Sequence, residues 1–337
     1  KQVKSELKSI NDLSKVGTEP NRIGRFLDFT QRSLGAYTMA SDMVSNVRSW
    51  LNQRVQAYAQ MEEAEAQVRK YTGMTQAQVK DLNEELKKID PRTSREQLNA
   101  LAGDAGRLGI TSKEMVLEFV EGADIIKTAL GDDLGESAVR DIGKLAQMFG
   151  EDKTKGLRGA MLATGSAVNE LAQNSSASAD YLVDFTARLA GVAQQAGISQ
   201  ANIMGYASAL DQNMQQVETS ATVFSQLLTK FFQQPERFAR LAGMAVEDFT
   251  NLLKTDANQA LLQFLQTMQS KGGFDTLAPM FEEMKLNGSR AVGVLSSVAT
   301  HLDQVTRAQK LANQAYDEGT SVIEEFNVQN DTVQARL

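Results

Sequence analysis

The sequence predicts an all-α protein, and three observations carry that prediction. Proline is scarce, with 4 among 337 residues at the well-separated positions 20, 91, 235 and 279. Long stretches are therefore free of the residue that removes a helical donor and clashes with the preceding turn. No run of Val, Ile, Thr and aromatic residues alternates with period 2 between turn residues, as a strand would. Apolar residues instead recur at 3.6-type spacing almost throughout. The expected architecture is a compact bundle of short glycine-capped helices, flanked by long amphipathic, coiled-coil-like helices.

Composition narrows the function classes. One His and no Cys exclude two-His zinc sites, cysteine metal sites, cysteine nucleophiles and disulfide frameworks. With 42% apolar and 23% charged residues the chain is a folded one, long enough for two or three folding units. Lys and Arg number 35 against 42 Asp and Glu, a net charge of −7 with no basic block, so no footprint for nucleic acid is present. No stretch reaches the roughly 18–20 apolar residues of a membrane span, and no export signal opens the chain. It begins at Lys1 and breaks off in the polar, helix-compatible run Asp331 to Leu337, so a piece of a longer chain is expected.

The elements follow in order. From Ile23 an approximate four-three spacing runs through Leu27, Leu34, Tyr37, Val44, Leu51, Val55 and Tyr58, interrupted at Thr30, Ser41 and Arg48. It predicts one amphipathic helix from about Asn21 to Tyr71, roughly 75 Å long at ~1.5 Å per residue. A similar spacing returns as Leu295, Val298, Leu302, Val305, Ala308, Ala312 and Ala315. Each end is material either for a hairpin or coiled coil or for one face packed on a bundle core. Of the 24 glycines, 14 fall between Gly103 and Gly205, so the middle is built differently from the ends.

A punctuation unit recurs four times: Gly, apolar, Ser/Thr or Ala, three residues, apolar. It reads Gly73-Met74-Thr75 to Val79, Gly109-Ile110-Thr111 to Met115, Gly197-Ile198-Ser199 to Ile203, and Gly243-Met244-Ala245 to Phe249. Each predicts a helix stop at glycine followed at once by a capped helix start. The apolar pair sits at staple positions, and Thr75 with Gln78 and Thr111 with Glu114 fit a capping box. Ala245 lacks cap chemistry.

Other motifs are read as structural. Gly103-Asp104-Ala105-Gly106-Arg107-Leu108-Gly109 fits neither GxGxxG nor GxxxxGK[ST], and a helix stop covers it better. Glu118, Glu121, Asp124, Asp132, Asp133, Glu136 and Asp141 lack the order of a calcium loop and read as a solvated helix face, with Asp132 and Asp133 near a helix start before Ser137. Gly159, Ala160, Ala163, Gly165 and Ala167 leave one helix flank with little bulk, which implies close helix approach. The small polar run from Asn174 forms a loop before a helix from Asp180 to Ala196, and the Asn174-Ser175-Ser176 acceptor pattern carries no weight without an export signal. His301, the sole imidazole, has Asp303 two residues away on another helix face and reads as a surface or packing residue. No residue is nominated as catalytic, cofactor-binding or metal-binding, and no cofactor is expected.

Seven blocks follow one another along the chain: Ala138 to Phe149, Gly165 to Ala172, Ser176 to Asp180 with Phe185 and Arg188 to Gly191, Ala196 to Ser199, Tyr206 to Leu210, Glu218 to Phe224 and Gly288 to Leu295. In their order and spacing they resemble the core region of phage tail tape measure proteins. The likeness covers roughly Leu98 to Tyr316. It implies a division into a helical lead-in at 1–95, a compact core at 96–295, and C-terminal helices at 296–337 that lead into a longer chain. It also implies a structural role in tail assembly and tail length determination, in the virion tail lumen after assembly and the bacterial host cytoplasm before it. The implied partners are the tail tube protein, tail assembly chaperones and tail-tip proteins. The apolar seams at both ends, by themselves, suggest self-association through the end helices. At least four helix stops make this segment unfit as the ruler itself, since even one straight helix would reach only about 500 Å. A tail-associated peptidoglycan-degrading enzyme and a host helical adaptor or signalling bundle remain open beside this reading.

Overall fold

The structure, a computed structural model, describes residues 59–89, 93–135, 137–286 and 288–331. Contacts divide the chain into Lys1–Glu63 and Ala64–Leu337. In the first unit residues 59–63 are described and helical; the four-three spacing from Ile23 to Tyr58 lies outside the described residues. The second unit is helical, with no strand among its described residues.

Residues 64–72 form α1, followed by α2 (Gln76–Leu86), α3 (Arg95–Arg107) and α4 (Lys113–Leu130). The stop at Gly73 has φ +74°, and Thr75 with Gln78 makes the expected capping box. An unforeseen second box, Ser94 with Gln97, opens α3. At Gly109 the expectation is off by one residue: Ser112, not Thr111, caps α4 by accepting from the Met115 amide at 3.3 Å. The shift sends Val116 into the core and leaves Met115 36% exposed, so the buried stripe outvotes the Thr111/Glu114 box.

Next come α5 (Ala138–Met148), the single turn α6 (Asp152–Lys155), α7 (Leu157–Asn174), α8 (Ala179–Ala196) and α9 (Gln200–Gln212). Helix α7 is the axle of the unit, buried without interruption from Ala160 to Asn169 and packed by α4, α5, α16 and α17 (the last two bounded below). A helix buried all round needs small residues where neighbours cross, and a β-carbon at Gly165 would lie 2.8 Å from Ile126 Cγ1 of α4. Gly159 meets only Lys155 of the adjoining single turn α6, so the small flank is narrower than expected.

The chain continues through α10 (Val217–Gln233), α11 (Pro235–Ala242), α12 (Val246–Thr255) and α13 (Ala257–Lys271). These four converge on an aromatic cluster in which Phe231 lies 4.6 Å from Phe238, 5.2 Å from Phe264 and 5.6 Å from Phe249, centroid to centroid. Ala245 opens α12 without a side-chain cap, as its methyl group requires. Helices α14 (Phe274–Glu283), α15 (Ser289–Thr300), α16 (Leu302–Glu318) and α17 (Ser321–Asn330) complete the unit. The apolar spacing from Leu295 to Ala315 is split at His301 between α15 and α16, and all seven of its residues are buried. That face is turned into the bundle, with α16 lying along α9 and α7.

Candidate functional site

Helices α9 and α16 cross in close backbone contact. Gly205 faces Gln309 so tightly that a β-carbon would lie 2.8 Å from the Gln309 backbone nitrogen and 2.9 Å from its Cα. Around this point runs a ladder of polar side chains between α9, α13 and α16. Tyr206 Oη donates to Asn258 Oδ1 at 3.0 Å, and the amides of Asn258 and Gln309 pair reciprocally at 3.2 and 3.0 Å. Gln309 Nε2 also donates to the Asn202 carbonyl at 3.0 Å, and Asn313 Nδ2 donates to Asn202 Oδ1 at 2.7 Å. Tyr206 is fully buried, and that burial pushes its pKa far up, so it stays a neutral donor. The ladder fixes the register of α16 on α9 because apolar contacts alone tolerate sliding and paired amides do not.

A second polar set surrounds α7. Thr164 Oγ1 donates to Gln200 Oε1 at 3.2 Å, and Gln200 Nε2 donates to Glu151 Oε2 at 3.3 Å. Burial raises the Glu151 pKa, opposed by the Lys155 charge and the Gln200 hydrogen bond. The N-terminus of α7 has no cap of its own, since Gly156 precedes it at φ +71°. Glu118 of α4 supplies one, accepting from the amides of Leu157 at 2.8 Å and Arg158 at 3.3 Å. Farther along α7, Ser166, Asn169 and Glu170 all contact the start of α17: the Val322 amide donates to Ser166 Oγ at 3.3 Å, Asn169 Nδ2 to Ser321 Oγ at 2.9 Å, and Ser321 Oγ to Glu170 Oε1 at 2.6 Å.

Several sequence readings change here. Of the Gly103 to Gly109 segment only Gly109, at φ +80°, stops a helix. Gly103 and Gly106 lie inside α3 against α1, where a β-carbon at Gly106 would come within 2.7 Å of the Tyr71 carbonyl carbon. The acidic residues are not one solvated face. Glu118 is the cap described above, Asp124 is buried and accepts from Thr93 Oγ1 at 2.6 Å, and Glu121 pairs with Arg158 at 3.1 Å. Asp132 and Asp133 sit in a short 3-10 turn, and Ser137 makes no side-chain cap. The helix expected from Asp180 starts at Ala179, capped by Ser178, and ends at Ala196 with Gly197 left-handed. In the preceding loop the Asn174 side chain turns back onto Glu170.

His301 stands between α15 and α16 with Nδ1 2.9 Å from the Ser297 carbonyl oxygen, while Asp303 pairs with Arg307. Among the described residues, no group of three or more His, Asp or Glu is placed to hold a metal ion, and no helix is long and apolar enough to cross a membrane. The structure instead gathers glycines and amides at the interhelical crossings. The Gly, Ala and Ser density of α7 and α9 was the sequence signal for this. Nothing in the sequence alone points to Asn258, Gln309 and Asn313 as partners, because the pairing spans more than fifty residues. Such a site holds helices in register.

A protein-family model described as phage-related minor tail protein matches residues 76–317, from the first residue of α2 to the last turn of α16. No curated protein and no solved structure matches the chain.

Proposed function

The chain belongs to the phage-related minor tail protein family, and from that premise we propose that it is the compact helical core of a tail tape measure protein. Its role is structural and without catalysis: it is built into the tail with the tail tube protein, the tail assembly chaperones and the tail-tip proteins, and it occupies the tail lumen after a period in the host cytoplasm. The observation that supports this reading most is the coincidence of the family match with the glycine-and-amide bundle. A packed store of helices held by small and polar contacts suits a chain that has to enter a narrow tube, since such contacts bury less apolar surface than large side chains do. Length is measured by chain outside this bundle. Even as one straight helix all 337 residues would span only about 500 Å.

The test is made in a phage or prophage that encodes the chain. Mass spectrometry of purified tails detects peptides from residues 76–317, and an in-frame deletion of them leaves tail tube protein unassembled. Shortening helical chain elsewhere in the same reading frame shortens the tail by about 1.5 Å per residue. Normal tails assembled without this chain, or peptidoglycan hydrolysis by the purified chain that is lost on Glu→Gln substitution, overturn the reading.

A further inference from the structure

The last two helices are joined differently from the four glycine-then-cap units. After the stops at Gly73, Gly109, Gly197 and Gly243, the next helix begins from an extended N-cap: Thr75 at ψ 163°, Ser112 at 143°, Ser199 at 157° and Ala245 at 142°. Several backbone angles separate each of those junctions from a continuous helix. At the α16–α17 junction Thr320 is already in the right-handed region (φ −110°, ψ −25°), and the large departure is at Gly319, at φ +65° and ψ +18°. Gly150 is followed by a right-handed residue in the same way, but it leads only into the single turn α6. Rotation of one residue therefore joins the 17 residues of α16 and the 10 of α17 into a single helix, about 44 Å long with the two connector residues included.

Helix α17 is also held in a way that lets it leave. It has no side-chain cap of its own; its first turn is held by the hydrogen bonds to Ser166, Asn169 and Glu170, and one turn on Gln173 Nε2 donates to Glu325 Oε2 at 3.2 Å. Val322, against Gly165, is its only fully buried side chain. Both flanks are underfilled. One bears a cavity of about 320 Å³ lined in part by Ile89, Leu117, Ile125 and Phe326, and the other a cavity of about 320 Å³ bordered by Leu130, Asn169, Glu325 and Gln329.

We propose that Gly319 is a single-residue hinge and α17 a strap, which swings off the α4–α7 surface and continues α16 as one helix. Opening gives back the Ser166 and Glu170 contacts to water, replaces the left-handed turn by helical hydrogen bonds, and uncovers the surface around Gly165 and Ile126. The rest of the bundle keeps its packing, because the α9–α16 amide ladder lies N-terminal to the hinge.

The chain has no cysteine, so Lys310→Cys and Val328→Cys accept spin labels cleanly on exposed sites of α16 and α17. A straight helix sets their backbones about 27 Å apart, and any bend at Gly319 brings them closer. The full chain is expected to show a short distance with a minor population near 27 Å. Gly319→Ala, which penalises the left-handed turn, is expected to enlarge that population about 5- to 30-fold relative to the bent form, the factor equivalent to ~1–2 kcal/mol. Gly319→Asn tolerates the turn and should leave the ratio near the parent value. Ser166→Ala, which removes one of the latch contacts without touching the hinge, should shift the ratio in the direction of Gly319→Ala, with far-UV circular dichroism confirming the fold of each variant. A short distance unchanged in Gly319→Ala and Ser166→Ala overturns the proposal, as does an equal shift in Gly319→Asn.

Discussion

Gly205 of α9 meets Gln309 of α16 at a distance that excludes a β-carbon, and the reciprocal amide pair between Gln309 and Asn258 lies at the same crossing. The obstruction includes Gln309 backbone, which cannot rotate away as a side-chain tip can. Gly205→Ala is therefore expected to destabilise the protein by about 2–3 kcal/mol in denaturant unfolding. Gly191 of α8 is the opposite case, with a helical backbone and nothing within 4 Å of the place an added methyl group would take. Gly191→Ala should stabilise by about 0.5–1 kcal/mol. Equal effects from the two substitutions would falsify the assignment of the crossing as a close backbone contact.

Glu118 acts as the N-cap of a helix to which it does not belong. Glu118→Ala leaves the Leu157 and Arg158 amides without their acceptor. The expected cost is about 1–2 kcal/mol, with amide exchange accelerated first at the start of α7. A variant with native stability and native exchange at residues 157–160 contradicts the role.

The capping of α4 separates two adjacent hydroxyls. Ser112→Ala removes the acceptor for the Met115 amide and should cost about 1 kcal/mol. Thr111→Ala removes no cap and should stay within ~0.5 kcal/mol of the parent. Thermal melts of the pair decide it, and the reverse ranking restores the Thr111 box.

Glu151 carries a pH signature. Its folded-state pKa is raised, by burial foremost, so the native state holds this proton more tightly than the unfolded chain. The stability from that proton is present below the ordinary carboxylate range and is lost as pH rises through the raised value. Relative to the parent, Glu151→Gln should therefore gain stability as pH goes from about 3.5 to 7. An offset in melting temperature that is constant across that range removes Glu151 as its source.

Much of the fold was legible in the sequence because it is written in local chemistry. Gly73, Gly197 and Gly243 end helices where the glycine-then-cap unit places them, and Thr75 and Ser199 cap the helices that follow. The misreading at Thr111 has a physical cause: two hydroxyls compete for one cap, and the burial of Val116 decides between them, which is a tertiary effect. The same holds for Glu118 and Asp124, whose acidic side chains look solvated until α7 and Thr93 come to meet them. Gly103 and Gly106 look like breakers in a one-dimensional reading and are packing sites in three dimensions. The amide ladder was illegible for the same reason, since no spacing rule links Asn202, Asn258 and Asn313.

The α9–α16 ladder has a consequence for how the protein is made. Gln309 reaches Asn202 across 107 residues of sequence, so the bundle closes only when its C-terminal helices have left the ribosome. Until then the surfaces of α7 and α9 that α16 covers stand open. Nascent chains in that state are prone to aggregate, and long-range closure is slow. That exposure ends when Gln309 settles over Gly205.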